Sequence, residues 1–139
     1  MLLVVAAIIE SNGKLLVCQR RCDSAFPLKW EFPGGKVKPG ETAEKALARE
    51  LQEELGVAAR IGDKIYRTRH RYSEMAEELE LTFFSATLEN TAIRNLAFEQ
   101  ILWREPSQLV RLDFLAADRD LIEKFASGAL RLPHPPLAQ

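Results

Sequence analysis

Residues 34–57 read GGKVKPGETAEKALARELQEELGV, a stretch that joins a glycine pair, a short basic loop with one proline and a helical pattern. Thr42 is a suitable N-cap for that helix, and Gly56 is typical of the residue that ends one. The pattern therefore predicts a central helix between these two residues, entered from a glycine-rich loop.

One glutamate of this helix lies where an apolar residue is expected. At about 100° per residue, Leu47, Leu51 and Leu55 share one side of the helix, together with Ala43. Arg49 falls on the opposite side, which is predicted to be solvated. Glu54, however, lies only about 20° from Leu47, inside the apolar stripe.

The helix carries three glutamates whose side chains can converge. Glu50, Glu53 and Glu54 are spaced i, i+3 and i+4, which places them on neighbouring turns. Carboxylates that approach one another repel, and one within an apolar stripe is also costly to desolvate. A solvated acidic face is the alternative, but it does not account for the direction of Glu54. We therefore predict a divalent cation with oxygen ligands, Mg²⁺ or alternatively Mn²⁺.

The same stretch resembles the Nudix box, G-x5-E-x7-R-E-U-x-E-E-x-G-U, in which U is a bulky aliphatic residue. The segment before it, WEFPGGK at 30–36, is similar to the MutT branch, which includes the CTP-pyrophosphohydrolase-like enzymes. The resemblance is strong over 14–57 and weaker to about residue 126. The residues that match the box are Gly35, Glu41, Arg49, Glu50, Leu51, Glu53, Glu54, Gly56 and Val57.

The resemblance implies a Nudix fold, which is an α+β fold with an α/β/α sandwich around a mixed, largely antiparallel sheet. It also implies hydrolysis of a nucleoside diphosphate linked to a further group, typically a nucleoside triphosphate cleaved to the monophosphate and pyrophosphate. Oxidised dGTP or a cytosine nucleotide is the favoured substrate, with nucleotide-pool sanitisation and DNA repair as the setting. The alternatives are a nucleotide sugar, a dinucleoside polyphosphate, or a non-catalytic nucleotide-sensing module.

The box match also implies roles for individual residues. The arginine of the box orients a ligating glutamate, and its first glutamate supports the loop, so these roles fall on Arg49 and Glu41. The implied metal ligands are the carboxylates of Glu50, Glu53 and Glu54 and the carbonyl of Gly34.

The resemblance to the MutT branch also makes several residues outside the box candidates for contacts with substrate or metal. Arg21 is expected to bind a phosphate, although a solvated loop arginine is the alternative, and Arg20 and Lys36 are further candidates. Glu99 is predicted to be an additional metal ligand or general base, or else to lie on an exposed strand face.

Asp118 is a second carboxylate out of place, because apolar residues share its helix face and a buried acid requires a partner. The resemblance to the MutT branch implies that it hydrogen-bonds the base edge; the alternative is a role at the N-terminal end of a helix, including capping. An ionised aspartate only accepts, which favours the donors of cytosine or guanine. Phe83 and Phe84 are candidates for stacking on the base, with core packing as the alternative.

The remaining pattern predicts a mixed sheet and a second helix. Residues 2–9 suit a central strand buried on both faces, and Asn12-Gly13 is typical of a hairpin turn. The alternation in 78–88 predicts a strand with one buried face. Further strands are expected over 14–20, 30–32, 57–68 and 97–103, a helical turn over 106–110, a helix over 116–126, and an irregular segment over 128–139.

Bulk properties restrict the possible partners. The 139 residues fit a single domain, and 19 basic against 20 acidic side chains give a formal net charge of -1. This balance argues against a nucleic acid polymer or a membrane as partner. Cys18 and Cys22 are interpreted as reduced thiols and, with no recognisable signal sequence, predict a cytoplasmic location. The expected partner is a small-molecule nucleotide, bound by a monomer or homodimer.

Overall fold

The computed structural model describes residues 1–90 and 92–131, which form a seven-stranded sheet with helices on both sides. Its path runs β3-β2-β1-β6-β5, with β4 paired to β1 and β7 paired to β2. Only β1 and β6 run parallel; the other pairs are antiparallel. The predicted mixed, largely antiparallel sheet is confirmed. Its strands are β1 (Leu2–Ser11), β2 (Lys14–Gln19), β3 (Trp30–Glu31), β4 (Gly34–Lys36), β5 (Ala59–His70), β6 (Leu79–Leu88) and β7 (Gln100–Arg104).

Alternation along β1 and β2 divides the core between the two faces of the sheet. Leu16 and Cys18 point towards the helix α1 (Ala43–Leu55), whereas Leu15 and Val17 point to the opposite face. That second face is covered by the helix α2 (Arg119–Ser127) and by two 3-10 turns, Pro106–Arg111 and Ala116–Asp118. The predicted α/β/α sandwich is thereby confirmed.

The predicted ends of α1 are also confirmed. The Thr42 hydroxyl accepts a hydrogen bond of 3.1 Å from the Lys45 N–H, as an N-cap does. Gly56 takes the left-handed conformation at φ 63°, and its N–H donates to the Gln52 carbonyl at 3.0 Å. The position of α1 along the chain is therefore fixed by local contacts at both ends.

Several predicted elements differ from the structure in their bounds or burial. The strand expected over 97–103 begins only at Gln100, because the Asn95 side chain bonds both the N–H and the carbonyl of Phe98 in a loop. The strand β6 is buried on both faces around Phe83 and Phe84, since helices cover both sides of the sheet. The helix expected over 116–126 is divided into a 3-10 turn and α2.

The fold also includes the end of α2 and two cysteines. Gly128 ends α2, and residues 132–139 of the segment predicted to be irregular lie outside the described residues. Cys18 is buried and Cys22 is exposed, and both are free thiols. None of the helices in the described ranges has the length and apolarity that a membrane span requires.

Candidate active site

The box borders a cavity of about 250 Å³ on the face of the sheet opposite α1. Glu54 and β4 form one wall, while Asp118 lies in another, contributed by the second 3-10 turn. Two larger concavities, of about 430 and 310 Å³, contain no residue of the box. The residues that line the 250 Å³ cavity besides the core strands include Arg20, Phe26, Glu31, Phe32, Gly34, Gly35, Lys36, Glu54, Tyr72, Met75, Leu115 and Asp118.

The glycine pair brings the backbone of β4 against its neighbours. A Cβ atom on Gly34 would lie 2.0 Å from the Val5 carbonyl oxygen, and one on Gly35 would lie 2.4 Å from Cδ of Glu50. A larger residue at position 34 would therefore clash with the backbone of β1, whereas one at position 35 would displace the Glu50 carboxylate. The pair is required because strand and helix meet here without room for a side chain.

Glu54 is a carboxyl held in an unfavourable environment. Its Oε1 atom accepts a hydrogen bond of 3.1 Å from the Gly34 N–H. Burial raises the pKa of Glu54 to about 9, and the carboxylates of Glu50 and Glu31 add to that rise. The desolvation expected from its position in the apolar stripe is thus present, and in the absence of a cation the carboxyl retains its proton.

Arg49 connects the loop to the glutamates of α1. Its Nε and Nη2 atoms donate to the two Glu41 oxygens at 2.7 and 2.9 Å, and Nη1 donates to Glu50 at 3.0 Å and to Glu53 at 3.1 Å. Nη2 also donates to the Lys36 carbonyl at 3.1 Å. The predicted solvated side of the helix is only partly solvated at Arg49, whose side chain is 23% exposed because it folds back along the helix onto these acceptors.

This network fixes the charge state of the loop glutamate. The hydrogen bonds from Arg49, and then one from the Lys38 N–H, lower the pKa of Glu41 to about 2. The same contacts raise the pKa of the Arg49 guanidinium above its usual range. Both groups are therefore fully charged near neutral pH, and each holds the other in place.

The donors at this wall fit a hard divalent cation. Carboxylate and backbone carbonyl oxygens are the ligands that Mg²⁺ and Mn²⁺ prefer, and Glu54 is a buried acid surrounded by other acids. Within residues 1–90 and 92–131, no three acidic, histidine or cysteine side chains already converge as a metal site. Arg49 hydrogen-bonds Glu50 and Glu53, while the Gly34 N–H hydrogen-bonds Glu54.

Comparison with known proteins agrees with this geometry. The protein-family model of the NUDIX domain matches residues 1–125 of this chain. The chain belongs to the Nudix family. It is therefore a Nudix hydrolase of the MutT-like kind, as the box predicts.

Several relatives of this Nudix hydrolase cover nearly its whole length. It is 36% identical over 135 residues to the CTP pyrophosphohydrolase of Escherichia coli K12, with 97% of each chain covered. It is 32% identical to the nucleoside triphosphatase NudI of Escherichia coli O1:K1, covering 84% of this chain and 90% of the relative.

Two solved structures are similar in fold. The solution structure of the E. coli ORF135 protein superposes with a TM-score of 0.75 at 33% identity, covering 98% of this chain and 94% of the other. The crystal structure of the MutT protein from Methanosarcina mazei Go1 gives a TM-score of 0.80, covering 94% and 96%. Its identity is 24%, so this second likeness concerns the fold alone.

Asp118 is the buried acid on the wall facing the Nudix box. It is 3% exposed, and burial raises its pKa well above the usual range, with the Glu31 carboxylate adding to the effect. Asp118 occupies the N-cap position of α2, as the alternative predicted, but its side chain makes no cap hydrogen bond there.

Of two neighbouring arginines, Arg20 lies at the cavity and Arg21 does not, contrary to the expectation. Arg21 is exposed, lies outside the cavity lining and donates from Nε to the Ala97 carbonyl at 3.1 Å. Arg20 lines the cavity instead, and its Nη1 atom donates to both oxygens of Glu31 at 3.2 Å. The sequence reasoning did not identify Glu31 as a site residue, although it stands between two aromatic residues just before the glycine pair.

Lys36 and Glu99 are two further residues that the sequence predicts for the site. Lys36 is exposed at the end of β4 and lines the cavity. Glu99 is exposed and accepts a long hydrogen bond of 3.4 Å from the Cys22 N–H, with no contact recorded to the glutamates of α1 among the described residues. A catalytic or ligating role for Glu99 stays a prediction, as does the role of the Gly34 carbonyl.

Phe83 and Phe84 are core residues. Phe83 is 0% exposed, and its ring lies edge-on to that of Phe32 at 5.9 Å, whereas Phe84 lies on the opposite face beneath α1. Neither lines the cavity, so neither presents a face on which a base could stack. The aromatic residues at the cavity are Phe26, Phe32 and Tyr72, which the sequence pattern did not distinguish as site residues.

Proposed function

We propose that this Nudix hydrolase is a metal-dependent pyrophosphohydrolase of nucleoside triphosphates, with a cytosine nucleotide or oxidised dGTP as the favoured substrate. The observation that carries the proposal is the shared cavity, which has Glu54 and β4 on one wall and Asp118 on another. A nucleotide has a base at one end and phosphates at the other, so the two walls match its two ends.

At the base end, the Asp118 carboxyl lies on the cavity wall and makes no cap hydrogen bond to α2. A base edge that enters the cavity can therefore hydrogen-bond to it. The carboxyl of Asp118 can accept from amino and N–H groups, which cytosine and oxidised guanine both present.

At the phosphate end, the residues of the box hold the ligands in place. A bound Mg²⁺ or Mn²⁺, held by Glu50, Glu53, Glu54 and the Gly34 carbonyl, would supply Lewis acidity and an activated water. The Gly34 N–H orients Glu54, and Arg49 orients Glu50 and Glu53. The glycine pair keeps this wall free of side chains, so that phosphates can approach the backbone.

The relatives support the choice of a triphosphate. The protein that is 36% identical is described as a CTP pyrophosphohydrolase, and the one that is 32% identical as a nucleoside triphosphatase. Both relatives are covered along at least 90% of their own length.

A substrate panel tests the proposal. We expect CTP, dCTP or 8-oxo-dGTP to give the monophosphate and pyrophosphate in the presence of Mg²⁺ or Mn²⁺, and no turnover with excess EDTA. The panel also includes a nucleotide sugar and a dinucleoside polyphosphate. Release of orthophosphate and a diphosphate, turnover without a divalent ion, or faster cleavage of the last two compounds would contradict the proposal.

Replacing Asp118 with asparagine is expected to change the order of preference among bases. Asparagine has nearly the same shape, but its amide presents N–H donors in place of one carboxyl oxygen that can accept. We expect the ratio of kcat/KM for 8-oxo-dGTP to that for CTP to change by about tenfold, the cost of one mismatched hydrogen bond.

The matched control is Asp120→Asn, because Asp120 is exposed on α2 and its carboxylate accepts from the Tyr66 hydroxyl outside the cavity. This control should leave the ratio unchanged. An unaltered ratio in the Asp118 variant would rule out its contact with the base.

A further inference from the structure

Tyr72 joins three segments around the cavity. It lies in the loop after β5 and lines the cavity. Its ring is 4.6 Å from that of Phe26 and 4.3 Å from that of His70, measured between centroids. Its hydroxyl oxygen accepts a hydrogen bond of 2.9 Å from the Ala117 N–H. The side chain is thus held by its ring on one side and by its oxygen on the other.

The Ala117 N–H has this bond because its own turn offers no cap. The first N–H groups of any helical turn lack partners within it and are usually satisfied by an N-cap side chain. The N-cap position of the turn Ala116–Asp118 is occupied by Leu115, which makes no side-chain cap hydrogen bond. Tyr72 supplies the missing acceptor from 45 residues away in the sequence.

Asp118 is the last residue of that turn, directly after Ala117. Its backbone is held by a hydrogen bond of 3.0 Å from its own N–H to the Leu115 carbonyl, and its carboxyl is left free on the cavity wall. The turn therefore has two supports near Asp118, one internal and one from Tyr72. Loss of the second support allows the Asp118 carboxyl to move relative to a base.

We propose that Tyr72 is a positioning residue for base selection, which fixes the Asp118 carboxyl by accepting the Ala117 N–H. The inference rests on the proposed function, in which Asp118 contacts the base. Two further observations agree with this role. Burial raises the pKa of its phenol, and the carboxylates of Asp118 and Glu31 add to the rise. No other described side chain bonds the N–H groups of this turn.

The substitution Tyr72→Phe tests the inference, because it keeps the ring against Phe26 and His70 and removes only the acceptor. We expect KM for the preferred nucleotide to rise about tenfold, as for an N–H left unpaired. The value of kcat should change little, since the box is intact. The ratio of kcat/KM between the preferred base and the others should fall.

Tyr66→Phe is the matched control. Tyr66 also connects β5 to α2, through a hydrogen bond from its hydroxyl to Asp120, but it does not line the cavity. Both variants should lower the thermal unfolding midpoint by similar amounts, whereas only Tyr72→Phe should alter KM and base preference. Equal effects of the two on base preference would overturn the inference, because they would indicate a general docking role.

A double variant tests whether Tyr72 acts through Asp118. On the background of Asp118→Asn, the additional change Tyr72→Phe should alter base preference by less than twofold, because the positioned group is already replaced. Fully additive effects in the two variants would overturn the inference.

Equilibrium binding separates this inference from the proposed function. Calorimetry with CMP and 8-oxo-dGMP compares the wild type and Tyr72→Phe without any hydrolysis. Weaker binding to the variant, by about tenfold, supports the positioning role even if the substrate panel shows no turnover. Equal binding to both, or none to the wild type, overturns it while leaving the hydrolytic proposal to the panel.

Discussion

Replacing Glu54 with glutamine is expected to lower the rate of nucleotide hydrolysis by about 1000-fold and, at the same time, to stabilise the metal-free protein. The loss of rate follows from the loss of one charged oxygen at the wall where the phosphates react. The gain in stability follows because the amide keeps the hydrogen bond from the Gly34 N–H and carries no charge to desolvate.

The raised pKa of Glu54 determines how the stability of the metal-free protein changes with pH. Its pKa is about 9 in the folded protein and close to 4.5 when exposed, so the folded state binds the extra proton between these values. The free energy of unfolding of the metal-free protein therefore falls as the pH rises from about 4.5 towards 9. By pH 7 the loss from this group is about 3 kcal/mol.

Urea unfolding in EDTA at pH 5 and pH 8 measures this effect. The stability gap between Glu54→Gln and the wild type should be small at pH 5 and larger at pH 8. The control is Glu44→Gln, which replaces an exposed glutamate in the first turn of the same helix. It should leave the rate and the pH dependence unchanged. A Glu54 variant less stable than the wild type at pH 8 would show that the carboxyl is ionised and well compensated.

Replacing Arg49 with lysine is expected to lower hydrolysis by about 100-fold, the upper range for residues that orient metal ligands. An ammonium group retains the charge but cannot bond Glu41, Glu50, Glu53 and the Lys36 carbonyl together, as the guanidinium does. The concentration of Mg²⁺ that gives half-maximal activity should rise in parallel, since two of these acceptors are predicted metal ligands.

Acid unfolding gives a second measurement on the same variant. The pKa of Glu41 is lowered to about 2, so its ion pair contributes stability above about pH 4.5, and this contribution is lost as the pH falls towards 2. The variant should lose less stability than the wild type across this window. Arg60→Lys, at an exposed position on β5, is the matched control and should behave as the wild type. Full activity in Arg49→Lys would show that charge alone suffices.

The parts of the molecule predicted from sequence are those decided by neighbouring residues. Thr42 and Gly56 fix the ends of α1 through bonds within one turn, and Asn12-Gly13 turns β1 into β2. The position of Glu54 follows from helical periodicity, which reaches across only a few residues. Contacts between residues close in sequence can be predicted from the pattern of residue types.

The features that were missed depend on contacts between distant segments. The choice of Arg20 over Arg21 as the arginine at the cavity follows from the path of the chain after β2, and Glu31 reaches the cavity by pairing β3 with β2. The Phe83 ring is enclosed because helices cover both faces of β6, which no local alternation indicates. Tyr72 meets Ala117 across 45 residues.

The pairing of β1 bears on how the protein is made as well as on how it works. β1 lies between β2 and β6, and its parallel partner is completed only at Leu88. A nascent chain released as far as Val57 already contains every residue of the Nudix box, yet it lacks one flank of its central strand and the whole wall that carries Asp118. We therefore expect ribosome-bound chains of that length to remain sensitive to protease, and resistance to appear only after α2 has left the exit tunnel.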